Sequence, residues 1–283
     1  MVFSSPSSLE ETLAELDQIP GSRLLAGGTD LMVAINFGHE RPERIVSTRR
    51  LPELKRLEVD GRVVCGAGVT YSSLLEALAG REPAMEQAVR TVGSPQIRNS
   101  GTMGGNLGTC SPAGDTLPVL AALDADIVIV SRRGERRLKL TDYMRGPKRT
   151  ALEPGEAVYA AEWDPPGPSQ VFLKAGTRNA MVIAVANLAM VVDRARRRVG
   201  VGLGSVGPTI ARAGEAEEFA RGLFESAGWD RPLAPTEAEV RRFGELASRA
   251  ARPIDDQRGT QRYRLHIVSV MAGRALRRTG AAV

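Results

Sequence analysis

Residues 93–118, GSPQIRNSGTMGGNLGTCSPAGDTLP, hold six glycines and three prolines with almost no helical or strand periodicity. An aperiodic stretch of this length inside a compact chain is either functional or disordered. Its low charge, with a helix-like run before it and a strand-like run after it, favours an ordered functional loop. At its centre lies Thr102-Met103-Gly104-Gly105-Asn106, and a related segment, Ala26-Gly27-Gly28-Thr29-Asp30, stands near the start of the chain. Adjacent glycines carry no Cβ, so backbone N–H groups can converge on a small volume suited to phosphate oxygens. The Thr hydroxyl and Asn amide add bonds that orient a ligand. Two such loops can clamp a pyrophosphate from both sides. Each loop taken alone is equally a tight turn with a polar cap.

Outward from these loops the chain alternates helical and extended patterns. Ser8 and Glu11 have capping-box spacing, and Leu9, Leu13, Leu16 and Ile19 follow at helical intervals until Pro20-Gly21. Short strands are expected at Arg23–Ala26 and Arg44–Ser47, and Asp60-Gly61 marks a hairpin ahead of Arg62–Ala67. Thr70 is an N-cap for a helix carrying Leu74, Leu75 and Leu78. Beyond the long loop, Ala125–Ser131 and Val158–Trp163 read as buried strands, and Asp164-Pro-Pro-Gly-Pro168 as a linker. Strand patterns at Val171–Lys174, Ala184–Val192 and Val199–Val206 precede helical patterns from Ala213 onward. The expected fold class is α+β in two domains, residues 1–165 and 168–283.

Composition narrows the chemistry. The chain has 283 residues, 42% of them hydrophobic, enough for a substantial core and against global disorder. No window approaches 18 uninterrupted apolar residues, so no membrane span is expected. The start, MVFSSPSSLEETLAELDQ, lacks the basic-then-apolar order of a secretory signal, and a cytoplasmic location is expected. Cys65 and Cys110 are too few to ligate an iron–sulfur cluster or a four-cysteine zinc site. His39 and His266 lack motif spacing, so no metal ligands are assigned. The net charge of +5 conceals an asymmetry: residues 241–278 hold ten arginines against Glu245, Asp255 and Asp256. The rest of the chain is left near about −2. That basic end is a solvated helix face or a docking face for an acidic partner. No nucleic acid is expected, because neither aromatic interleaving nor a recognised motif accompanies it.

Familiar phosphate and hydrolase motifs are absent. There is no G-x-x-x-x-G-K-[ST], and Gly104-Gly105-Asn-Leu-Gly108-Thr109 lacks the lysine. Gly66-Ala67-Gly68 follows a strand, but Tyr71 stands where a dinucleotide fingerprint has its third glycine. No G-x-S-x-G elbow occurs. With a loop-held dinucleotide remaining, the chain resembles the FAD-binding (medium) subunits of the molybdenum hydroxylases, the xanthine and carbon monoxide dehydrogenase family. AGGTDL (26–31) resembles that family's first flavin loop and QIRNSGTMGGNLGTCSPAGDTLPVL (96–120) its second. The similarity continues in order through GPKRTALEPGEAVYAAEW (146–163) and VFLKAGTRNAMVIAVANLAMVV (171–192). It ends with VGLGSVGPTIARAGEAE (201–217) and DDQRGTQRYRLHIVSVMAGRALRR (255–278).

The resemblance implies a two-lobed VAO/PCMH-type FAD-binding domain, with lobes of about 1–58 and 59–165. A smaller α+β C-terminal domain with an antiparallel sheet and helices would follow. It implies that the backbone of Ala26, Gly27, Gly28, Thr29, Asp30 and Leu31 surrounds the FAD pyrophosphate. The backbone of Thr102, Met103, Gly104, Gly105 and Asn106 would do the same, with side-chain bonds from Thr29, Thr102 and Asn106. Asp115 would accept from a ribityl or ribose hydroxyl or a flavin N–H, or else cap the helix starting near Thr116. Lys174 matches the family's lysine near the isoalloxazine, where a cation stabilises the anionic reduced flavin; the alternative is a strand-end surface lysine. Tyr159 would contact the flavin or pack beside it, and Val92 and Arg98 are further candidates. At Thr29-Asp30 the chain departs from the His-Ser or similar residues of some other members, a difference that leaves the backbone nest intact. Cys110, in the second loop, is expected to be a small packed residue rather than a redox group.

No residue is assigned a catalytic proton transfer, because the cofactor carries the chemistry. The implied partners are a large molybdenum-cofactor subunit and a small 2Fe–2S subunit. Electrons would pass from the clusters through FAD to NAD or another acceptor. Two alternatives stand beside this: a stand-alone MurB-like flavin oxidoreductase, and a non-catalytic module binding through its basic end.

Overall fold

The computed structural model describes residues 2–281. The chain divides into two compact units. The first comprises residues up to Ala77, Gly93–Ser111 and Asp126–Trp163; the second comprises Leu78–Val92, Pro112–Ala125 and the chain from Asp164 onward.

In the first unit a three-stranded parallel sheet runs in the order Val2–Ser4, Arg44–Ser47, Arg23–Leu25. Parallel neighbours need crossovers, and the helices Leu9–Gln18 and Leu31–Asn36 lie in those connections. The Ser8 hydroxyl accepts from the Glu11 amide, as the capping-box spacing implies. The Glu11 carboxylate, however, takes the amide and hydroxyl of Ser7 rather than the amide of Ser8. A five-stranded antiparallel sheet follows, ordered Leu57–Glu58, Val63–Gly66, Ala157–Trp163, Asp126–Ser131, Gly134–Lys139. The Asp60-Gly61 turn joins its first two strands, with Gly61 at φ +82°, where a side chain would be strained. Gly134–Lys139 carries Glu135, Arg136, Arg137 and Lys139 on an edge, a charge pattern that discourages further pairing and hides the strand from hydrophobic alternation.

The second unit is built on an antiparallel sheet ordered Gln170–Ala175, Ala186–Asp193, Arg198–Gly204, Ala211–Arg212. Every residue of Ala186–Asp193 is buried, so both faces of that strand are covered. Ala186, Leu188, Met190 and Val192 join Val199, Val201 and Leu203 in one core with the helices Gly214–Ala227, Glu237–Arg249 and Gln261–Ala281. The alternate residues face the helices Pro83–Arg90 and Thr116–Ala122. The alternation Gly200-Val-Gly202-Leu-Gly204 explains how Thr116–Ala122 lies so close. A Cβ on Gly200 would stand 1.9 Å from the Ala122 carbonyl oxygen, and one on Gly202 2.1 Å from that of Pro118.

The 93–118 stretch is not the long loop its composition suggests. It contains the short helices Pro95–Ser100 and Met103–Thr109, and Thr116–Ala122 starts within it. Ser94 and Thr102 cap the first two, accepting from the amides of Ile97 and Gly105. Helices this short, the middle one glycine-rich, are unstable in isolation. Burial of Met103, Leu107, Leu117, Val119 and Leu120 supplies what propensity lacks.

Candidate functional site

Both glycine loops lie in the first unit, and the fold brings them side by side. A Cβ on Gly27 would stand 1.8 Å from the Ser100 carbonyl oxygen, so only glycine lets the first loop touch the chain entering the second. Gly105 faces Ala26, whose Cβ is 4.0 Å from where a Gly105 Cβ would be. The Thr109 hydroxyl donates to the Asp30 carboxylate at 3.2 Å.

The two loops differ in what they offer. In the second, the Met103 and Gly104 amides donate to the carbonyls of Val69 and Ala67, and the Gly105 and Asn106 amides to the Thr102 hydroxyl and carbonyl. Gly104 is there for close packing, since a Cβ would meet that of Ala67 at 2.4 Å. In the first loop, the amides of Ala26 to Leu31 have no hydrogen-bond partner among the described residues. Gly28, at φ +70°, turns this row into a concavity of the kind that binds anions. Buried or half-buried amides are rarely left unpaired. Six in succession, five on half-buried residues and one on the exposed Asp30, fit an anionic, oxygen-rich group such as a dinucleotide pyrophosphate.

Beside the first loop lies a cavity of about 330 Å³ lined by Asp30, Val33, Ala34, His39, Glu40 and Lys148. Lys148 is carried there by the hairpin of Met144–Gly146 and Arg149–Thr150, and its Nζ is 4.0 Å from the Asp30 carboxylate. Tyr159 sits at an irregularity in its strand's pairing and packs against Val64, Val128 and Ala160, while its carbonyl accepts from the Ala67 amide at 2.8 Å. Cys110 is fully buried, with a left-handed backbone (φ 51°) ending its helix. Burial pushes its thiol up to about 11 and that of Cys65 up to about 12. A thiol needs its thiolate to react. Both cysteines should therefore resist iodoacetamide in the folded chain at pH 8 and alkylate fully in urea, as mass spectrometry will read.

Asp115 and Lys174 meet in the second unit. Lys174 Nζ donates to Asp115 Oδ2 at 2.6 Å and to the Thr91 carbonyl at 3.3 Å. Its side chain is only 10% exposed, so it is no surface lysine. Asp115 Oδ2 also accepts from the Thr91 hydroxyl at 3.1 Å, and Oδ1 accepts from the Asn187 amide at 2.9 Å. Asp115 precedes Thr116–Ala122 but makes no side-chain cap bond. Burial raises its carboxyl above the usual range, while the charge of Lys174 and the bonds from Lys174, Asn187 and Thr91 oppose that rise. Sequence reading considered Asp115 and Lys174 separately and missed both Asn187 and Thr91. The available signal was the strand register, which sets Lys174 directly opposite Asn187.

The arginine-rich end is mostly turned to internal use. Arg264 is 2% exposed. Arg258 pairs with Asp256, Arg242 with Glu245, Arg249 with Glu215 and Arg277 with Glu237, and Arg252 donates to nearby carbonyls. No helix among the described residues is long and apolar enough to cross a membrane.

Residues 1–162 match the family model described as the FAD binding domain in molybdopterin dehydrogenase, and residues 171–279 that of the CO dehydrogenase flavoprotein C-terminal domain. The chain is 36% identical over 201 residues to the nicotinate dehydrogenase FAD-subunit of Eubacterium barkeri, covering 67% of this chain and 68% of that one. It is 29% identical over 285 residues to the nicotine 6-hydroxylase medium subunit of Paenarthrobacter nicotinovorans, covering 99% and 97%. Among solved structures, a chain of the Cu,Mo-CO dehydrogenase in its cyanide-inactivated form superposes with a TM-score of 0.89 at 27% identity. That match covers 100% of this chain and 98% of the other.

Proposed function

The chain belongs to the FAD-binding subunits of the molybdenum hydroxylases, and from that membership we propose that its first glycine loop holds the FAD pyrophosphate. The row of unpaired amides from Ala26 to Leu31 is the observation that carries this reading. Charge-assisted bonds from backbone N–H groups to phosphate oxygens are short and strong, and the Gly28 turn aims several at one place. The second loop serves as the opposing wall. Its own amides brace the turn, Gly105 leaves space, and the Thr102 hydroxyl and Asn106 side chain face the ligand. Tyr159 packs at the flavin's edge.

FAD bound there supplies two-electron redox chemistry. The protein binds and orients the dinucleotide, excludes water from its phosphates and biases its charge. The subunit works in a complex with a large molybdenum-cofactor subunit and a small 2Fe–2S subunit. It takes electrons from the clusters and delivers them to NAD or another acceptor. A cytoplasmic location belongs to the same reading.

The full chain incubated with FAD should develop the flavin bands near ~370 and ~450 nm and release one FAD per chain on denaturation. Gly105→Val tests the cradle best. The nearest atoms to a Cβ there are Thr102 Oγ1 at 3.2 Å and Ala26 Cβ at 4.0 Å, so the fold tolerates the side chain better than at Gly27 or Gly104. The variant should keep its melting temperature within a few degrees and bind FAD at least about a hundredfold more weakly, the loss of some 3 kcal/mol. FAD affinity unchanged in Gly105→Val would sink the two-loop cradle.

A further inference from the structure

The helix Gln261–Ala281 carries five arginines and no aspartate or glutamate. Two of the five are used inside the chain: Arg264 is buried, and Arg277 pairs with Glu237 at 2.6 Å. The other three fall on a single four-residue repeat. Arg262, His266, Val270, Arg274 and Arg278 form one ridge along the helix, about 24 Å long at ~1.5 Å per residue. All of them are exposed except Val270, which is half-buried. Neither His266 nor any of these three arginines has an ion pair or a side-chain hydrogen bond among the described residues.

Most of this ridge works against the helix that bears it. Arg274 and Arg278 are like charges one turn apart, an arrangement that weakens a helix. Arg262 lies in the first turn, where the positive end of the helix dipole repels a cation, and Arg278 alone sits where that dipole favours one. The neighbouring helices show the usual remedy: Arg221, Arg242 and Arg249 each face a glutamate. Carboxylates near the ridge are engaged elsewhere, Glu237 with Arg277 and Asp255 with the Gln261 amide. Local features that oppose the fold without return inside it are a mark of functional surfaces.

Spacing selects among anionic partners. Arg262 and Arg274 stand about 18 Å apart along the axis with apolar Val270 between them. Each strand of a nucleic acid presents a phosphate every ~3.4 Å, so most would go unmatched. A membrane surface calls for large apolar side chains beside the cations, and the ridge has only its half-buried valine. Guanidinium takes a carboxylate in a two-bond fork, and a protein segment can set carboxylates at side-chain spacing with apolar groups between. We propose that the ridge from Arg262 to Arg278 docks an acidic segment of a partner subunit, with carboxylates on the arginines and an apolar side chain on Val270. This rests on the reading that the chain works in a complex.

Arg262→Glu combined with Arg274→Glu separates docking from folding. The first puts an acid in the first turn and the second puts one four residues before Arg278, and both arrangements favour the helix. The full-length double variant should keep or raise its melting temperature and keep its FAD uptake. It should bind the co-expressed large and small subunits at least about tenfold more weakly in ~50 mM salt, with the difference shrinking in ~1 M salt, where screening is complete within about 3 Å. Arg274→Lys keeps the charge and offers an amine. In the assembled complex a carbodiimide should join that amine to an aspartate or glutamate of a partner subunit, which mass spectrometry will locate. Absence of that product overturns the proposal whatever the double variant does. Equal association of parent and double variant overturns it while the complex stands. A parent that does not associate with these subunits overturns the complex and the proposal together. Binding of duplex DNA or phosphatidylserine vesicles that the double variant loses, with association to the subunits unchanged, assigns the ridge to phosphate and overturns the proposal.

Discussion

Arg264→Leu should destabilise the second unit by about 3–5 kcal/mol, the cost typical of breaking a buried ion pair from one side. Arg264 donates to the carbonyls of Val185 and Ser205 at 2.9 and 2.6 Å and to Asp256 Oδ1 at 2.6 Å. Leucine would leave all three acceptors without it. The melting transition should fall by roughly 10 °C. The effect should depend on pH. Burial by itself raises the Asp256 carboxyl, but the bonds from the Arg258 side chain and amide and from Arg264 outweigh it and hold the group well below the usual carboxylate range. A depressed folded-state value means the stabilisation is complete above the unfolded value of about 4 and is lost as the pH falls through the folded one. The gap between wild type and Arg264→Leu, measured by urea denaturation, should therefore narrow below about pH 4. A gap that stays constant with pH would show that the carbonyl bonds alone account for it.

Gly202→Val should be at least as damaging, costing about 3 kcal/mol or more because backbone has to move. The clash is with the Pro118 carbonyl, in the middle of Thr116–Ala122, and not with a flexible side chain. Displacing that helix also displaces Asp115, which immediately precedes it. Gly202→Val should consequently shift both the urea midpoint and the rate of Lys174 acetylation. A control at Gly222, which has open space around it, should do neither beyond the roughly 1 kcal/mol spread of helix propensities. Normal stability in Gly202→Val would mean that the helix does not rest on this strand.

Much of the fold is legible in local patterns. Arg44–Ser47 is read with its observed bounds, and the hairpin at Asp60-Gly61 follows from its turn residues. The strands of the second unit differ from their reading by a residue or two at most ends, because hydrophobic runs mark a strand's middle better than its limits. Leu31–Asn36 and the bounds of Pro83–Arg90 are not read from the sequence. The first is too short to show a period, and the second follows a proline that reads equally as a turn. The strand pattern at Val199–Val206 is read without regard to Gly200, Gly202 and Gly204, although glycine at every second position is itself a sign that another backbone lies against that face.

The two glycine loops, the order of their neighbours and the family they define were all present in the one-dimensional string, because an approach closer than a Cβ permits can be written only with glycine and a turn that needs φ above zero is most readily written with it. Tertiary structure decided how those residues are used. It set the first loop's amides free while binding those of the second inward, and it paired Lys174 with Asp115 across 59 positions of sequence. It also placed Asn187 behind them. Hydrogen-bond partners of this kind depend on strand register and on which helix covers a sheet face, and neither is encoded in the residues around any one of them.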